Sequence, residues 1–150
     1  VSAPLLDEDA PDAEDFVACW LAPLLRAGVR REHSDAWPFA LVQRISGTDD
    51  PVPGLDDPVI QVDILHKLAT PATTITGQLE AAAKVWANKV HRRMTLLATT
   101  YPDVTASSGD VVGIDYLTVL MRPHRQPFGD DSVCRYVARY RLGLSYVAAS

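Results

Sequence analysis

The chain is poor in the residues that usually announce chemistry. Only two cysteines, Cys19 and Cys134, occur in 150 residues, too few for a disulfide framework. Each falls on the apolar face of a predicted element, so both are expected to be free, buried thiols of a reducing compartment. The four histidines, His33, His66, His91 and His124, are scattered, and none stands at metal-ligand spacing from a cysteine or another histidine, which argues against a zinc site. Glycine is scarce as well. No Gly-Lys-Ser loop is present to cradle a phosphate, and Ser107-Ser108-Gly109-Asp110 lacks the flanking glycines of a nucleophile elbow, so its serines read as turn residues. No run approaches the roughly 18 apolar residues of a membrane-spanning helix. The start, VSAPLLDEDAPDAED, is acidic where a signal peptide is basic. A soluble protein made in the cytosol, without a membrane partner, is the expectation. Basic residues are outnumbered 14 to 19, for a net charge of −5 and a pI near 5.2. That balance argues against an open nucleic-acid-binding surface.

What is present is a 47% hydrophobic content, enough for one core and one domain spanning residues 1–150. Residues 1–11 have no periodicity and read as a flexible arm. Asp12 is placed to cap a helix, with Asp15 at the capping-box position. Phe16, Val17, Trp20, Leu21, Leu24 and Leu25 would form its apolar face, Gly28 its stop, and Pro23 a kink or an early end. The segment AWPFALVQRISG reads as a strand with Trp37, Phe39, Leu41 and Ile45 on one side and Arg44 and Ser46 at the far end of the other. In Thr48–Pro58, three prolines, one glycine and four aspartates predict a long irregular loop. Alternation then resumes in VIQVDILHK, with Ile60, Val62 and Ile64 facing one way and Gln61, Asp63 and Lys67 the other. Asp63 and His66 thus lie on opposite faces and form no acid-base couple.

From about Thr74 to Thr99 the period changes to about 3.6. Ile75, Leu79, Ala83, Trp86, Val90, Met94 and Leu97 make a stripe, and Lys84, Lys89, Arg92 and Arg93 lie on the opposite, solvated face. The nearly all-apolar DVVGIDYLTVLM reads as a strand covered on both faces, and RPHRQPFGDDS as a separator. In the last strand, VCRYVARYRLGLSYV, residues Cys134, Tyr136, Ala138, Tyr140, Leu142, Leu144 and Tyr146 alternate with Arg135, Arg139 and Arg141. Its fifteen residues would reach roughly 50 Å, far beyond the usual strand of about 5 to 6 residues. This order predicts an α+β domain: a single, mostly antiparallel sheet packed against one long helix, with an additional N-terminal helix.

Three segments carry a family resemblance: the helix DAEDFVACWLAPLLRAG, the strand PVIQVDILHK leading into ITGQLEAAAKVWANKVHRRM, and the closing GDDSVCRYVARYRLGLSYV. In size, order and style, residues 12–147 resemble the tail terminator proteins of long-tailed bacteriophages, the lambda-type tail completion family, particularly those from phages of actinobacteria. The resemblance implies a virion structural protein at the tail-neck junction, assembled in the host cytoplasm. Its partners would be itself, as a hexameric ring, the tail tube protein and the head connector. Genomic DNA would pass through the lumen without specific binding, and no catalysis and no cofactor are implied. On this reading the overlong last strand pairs with or packs on the next subunit. Arg135, Arg139 and Arg141 then suit subunit contacts, with Asp49, Asp50, Asp56 and Asp57 of the long loop as acceptors for their planar forks. Two other readings stand beside it. A head-closure or other neck ring component shares the size and the lack of catalytic motifs. A small α+β enzyme or ligand-binding domain would need a pocket, for which Asp63, Tyr116 and Arg139 are the candidate groups.

Overall fold

A computed structural model describes residues 8–68 and 76–148. The chain runs β1 (Glu8–Asp9), α1 (Ala13–Leu21), β2 (Arg26–Gly28), β3 (Phe39–Asp50), β4 (Leu55–His66), α2 (Thr76–Thr100), β5 (Asp103–Thr105), β6 (Val111–Gln126), β7 (Cys134–Ser145) and β8 (Val147–Ala148). Six strands form one curled sheet in the order β2-β3-β4-β7-β6-β5, and β1 pairs separately with β8. All pairings are antiparallel except β2 with β3.

This corrects the expected architecture. Strand accounts for 47% and helix for 25%, so the protein is mostly β, and its curled sheet shares a core with two helices rather than lying on one long helix. The difference comes from segments whose composition suggested loops. The supposed loop Thr48–Pro58 is the end of a β-hairpin, with Thr48 opposite Asp57, Asp49 opposite Asp56 and Asp50 opposite Leu55. Its turn is closed by Gly54 N–H donating to the Asp50 carbonyl (3.0 Å) and Val52 N–H to Asp50 Oδ1 (3.1 Å). Pro58 is tolerated in a central strand because the β4–β7 register skips from Asp56 to Val59, where no ladder bond is required of it. Gly47, at φ 106°, sits so close to the Asp57 carbonyl that no Cβ fits, and the glycine is what lets the hairpin continue past the bulge near Ile45.

Three other boundaries move. The first helix ends at Leu21, before Pro23, and Arg26–Gly28 is a strand beside β3 rather than a last helical turn. The apolar segment after Asp110 is not covered on both faces, since Val111, Val119 and Leu120 are exposed; β6 pairs with β7 along one edge, meets β5 only from Val111 to Gly113 along the other, and continues into the expected separator as far as Gln126. Of the expected arm, residues 8–9 are paired with β8 and Pro11 is buried, while residues 1–7 lie outside the described residues, as do Thr74 and Ile75.

The core forms where the helices meet one face of the sheet. Asp12 caps α1 by accepting from Asp15 N–H (3.1 Å), which fixes Phe16, Val17 and Leu21 inward. From α2 the predicted stripe residues Leu79, Ala83, Val90, Met94 and Leu97 are buried, joined by Ala87 and partly by Trp86. Val90, Met94, Leu97 and Trp86 belong to the main core with Ile60, Val62, Ile64, Ala138, Tyr140, Leu142 and Leu144, while Leu79 and Ala83 form a smaller cluster with Cys134. The helices clasp each other through Trp20 and Arg93. The indole N–H donates to the Arg93 carbonyl (2.8 Å), Arg93 Nε donates to the Trp20 carbonyl (2.6 Å), and the guanidinium lies 3.9 Å over the ring. Inside the core, His91 Nδ1 meets the Tyr140 hydroxyl at 2.8 Å. Burial pushes the tyrosine pKa up and the histidine pKa down.

Candidate subunit-contact surface

Strand pairing assigns each side chain to one of two faces. Tyr136, Ala138, Tyr140, Leu142 and Leu144 face the helices; Arg135, Val137, Arg139, Arg141 and Gly143 face away from them. Directly beside the second set stand Gln61 and Asp63 of β4 and Tyr116, Thr118 and Met121 of β6. This helix-free face carries all three arginines singled out by the sequence.

They are not loose. Arg139 Nε donates to Gln61 Oε1 (3.0 Å), Gln61 Nε2 donates to Asp63 Oδ1 (2.9 Å), and Arg135 Nη2 lies 3.2 Å from Asp63 Oδ2. Asp63 is only 6% exposed, and the adjacent guanidinium and amide offset the desolvation of its charge. Arg141 borders a shallow cleft with Ser46, Gly47, Thr48, Asp57 and Tyr116. The Tyr116 ring lies flat over Gly143, where no Cβ would fit, and its hydroxyl donates to Asp57. One side chain thus ties β6 to β4 across β7. Burial and the hydrogen bond to Asp57 push the Tyr116 pKa up to about 12.

The four aspartates part ways. Asp56 drops out as an acceptor for a neighbouring subunit: it is 0% exposed and forms a two-pronged pair with Arg44, at 2.8 and 2.9 Å. Register explains the loss, since Asp56 points to the helix side of the hairpin, where an unpaired carboxylate could not stay buried. Asp57 holds the Tyr116 hydroxyl. Asp49 accepts from the Tyr146 hydroxyl (2.8 Å), which raises that tyrosine's pKa to about 12. Asp50 closes the hairpin turn. Asp49 and Asp50 remain at the exposed tip, whereas Asp57 is partly covered.

The groups considered for a pocket do not converge. Asp63 lies level with Val137 and Tyr116 with Gly143, a separation of about 20 Å along the strands. Among the described residues, no three His, Cys, Asp or Glu side chains are grouped to hold a metal ion.

Other surface residues escaped the sequence reading. Arg44, assigned to the far side of its strand, joins the Asp56 pair, and its backbone N–H donates to Glu14 Oε2 of α1 (2.9 Å). Ile45, on the apolar side of its predicted strand, and Val119 and Leu120, in the segment expected to be covered on both faces, are 43%, 37% and 47% exposed. On β3 the core face carries Ala40 and Val42 rather than Leu41 and Ile45, and on β6 the register shift after Val119 leaves Leu120 without a cross-strand partner. Gly47 was the one available signal. No helix among the described residues is long and apolar enough to cross a membrane. Compared with protein-family models and with curated proteins, the chain matches none.

Proposed function

We propose that the protein is a ring subunit of a long-tailed bacteriophage. Six copies close on the end of the finished tail tube, stop its growth and offer the head connector a surface to join. The reading starts from the resemblance carried by residues 12–147. The observation that best supports it is the amount of strand a single copy leaves uncovered: every residue from Gln43 to Asp50 is exposed, and so are Thr118, Val119 and Leu120 of β6. Exposed strand of this length invites a neighbour, and a ring supplies one on each side. The chemistry of the helix-free face agrees with a passage for DNA that does not grip it. Arg135 is neutralised by Asp63, Arg139 is tied to Gln61, Arg141 shares its cleft with Asp57, and the chain is net acidic at −5, a balance that disfavours a firm grip on phosphates. On this reading the protein resides at the tail-neck junction of the virion, assembles in the host cytoplasm and needs no cofactor.

The test is the mass of the purified protein in solution, followed by electron microscopy and by addition to tail tubes that lack a terminator. Hexameric rings that bind tube ends and arrest their extension are the expected result. Rings that bind a connector but never a tube would reassign the protein to head closure. A monomer at every concentration, with tubes present or absent, would overturn both.

A further inference from the structure

The six-stranded sheet ends in two unequal edges, and most of each is guarded. On β3, the strand β2 covers Phe39 to Leu41, and the Glu14 carboxylate occupies the outward N–H of Arg44. On β6, the strand β5 covers Val111 to Gly113, while Pro123 lacks the N–H that pairing would need. Between these guards lie two windows whose outward side has no strand partner among the described residues: Ile45 to Asp50 on β3, and Ile114 to Arg122 on β6.

The windows stand at the same height. Arg44 is opposite Ile60, Ile60 opposite Tyr140 and Tyr140 opposite Val119; at the other end, Asp49 leads through Asp56 and Leu144 to Ile114. Ile45 on one edge is therefore level with Thr118 and Val119 on the other, with Leu120 the next residue along, and Ile45, Val119 and Leu120 are among the chain's exposed large apolar side chains. Successive strands from β3 through β4 and β7 to β6 alternate in direction, so β3 and β6 run oppositely. A second copy set edge to edge, without inversion, would continue the sheet with one more antiparallel pair.

We infer that β6 of one subunit joins β3 of the next through these two windows, with Ile45 packed against Val119 and Leu120. The inference rests on the ring reading and names its contact. Because the two edges differ, the contact is heterologous: each copy keeps one edge free for another, which is the condition for a closed ring rather than a dimer. The occupant is a second copy of this chain, since one chain carries both halves at matching height and opposite direction. The same alignment brings Asp49 beside Ile114 and its neighbour Asp115 at the hairpin end, a like-charge approach that weakens the contact.

The experiment compares ring mass for the full chain with Ile45→Asp, Leu120→Lys and the double variant, each checked for an unchanged circular dichroism spectrum and melting temperature. Both positions are exposed, so folded monomers are expected. Each single variant should weaken association about 100-fold, because it buries an unpaired charge at every contact, and the double variant should regain most of it by pairing the two charges. Asp115→Asn, which keeps an acceptor for the Ser145 hydroxyl, should tighten the ring. Single variants that assemble like the parent, or a double variant no better than the singles, would overturn this contact and leave the ring reading intact. An unaltered chain that never leaves the monomer would overturn both.

Discussion

On β7, Ala138, Tyr140, Leu142 and Leu144 are buried against two helices, while Arg139 and Arg141, between them in sequence, stay exposed. The same strand thus presents two kinds of surface. Its helix-facing side is held by removal of apolar area from water, which is non-directional and scales with the area buried. Its other side is held by directional contacts: Arg139 to Gln61, Gln61 to Asp63, Arg135 to Asp63, and Tyr116 over Gly143 to Asp57. Truncation should therefore be costly on the first face, whereas on the second it should matter chiefly where a buried charge or a close backbone approach is involved.

The largest expected effect is on the helix-bound face. Phe16→Ala leaves a cavity between α1 and the sheet and should cost about 3–5 kcal/mol in urea unfolding. An effect below that of any helix-free-face variant would break the comparison.

Next comes the one charged pair that the helix side contains. Replacing Arg44 with Met strands the Asp56 carboxylate in the interior, with an expected loss of about 3 kcal/mol. Changing Asp56 to Leu as well should recover most of the loss, because no charge is then left unpaired. A double variant no more stable than the single one in urea unfolding would show that packing of the Arg44 stem, rather than its charge, is what matters.

Smaller effects belong to the helix-free face. Tyr116→Phe removes the bond to Asp57 and should cost about 1 kcal/mol, with a second readout in alkali. The folded pKa of Tyr116 is raised from 10.0 to about 12, so its contribution is complete below pH 10 and is lost as pH rises through the folded value. Tyr146 adds a fall of the same sign. The Phe variant should lose stability less steeply between pH 10 and 12 than the parent, as followed by thermal melts across that range. Gly143→Ala should disturb the same tie by displacing the Tyr116 ring, and combining it with Tyr116→Phe should be less than additive.

The smallest effect is expected at Arg139, an exposed side chain with one neutral partner. Arg139→Gln should change stability by no more than about 0.5 kcal/mol. A change of several kcal/mol in thermal melts would mean that the polar ladder, and not the helix-bound core, sets the stability of the sheet.

The sequence by itself determined the elements whose periodicity is continuous. The α2 stripe from Leu79 to Leu97, the α1 cap at Asp12, the alternation of β4 through Ile60, Val62 and Ile64, and the even-numbered face of β7 were all legible, because one local period decides which residues meet the core. Tertiary structure decided what depends on pairing. Thr48–Pro58 has the composition of a loop, but Gly47 relieves a clash and the β4–β7 ladder spares Pro58 a bond, so the segment is a hairpin. Asp56, one of four aspartates around that tip and indistinguishable from the others in sequence, is buried because cross-strand register turns it toward Arg44. Ile45 is exposed on a strand whose core face carries Ala40 and Val42, and register shifts along β6 leave Leu120 unpaired beside Val119, at an edge where both stay exposed. Register between strands distant in sequence leaves no local period, and so the sheet's edges and its helix-free face became visible only once the strands were paired.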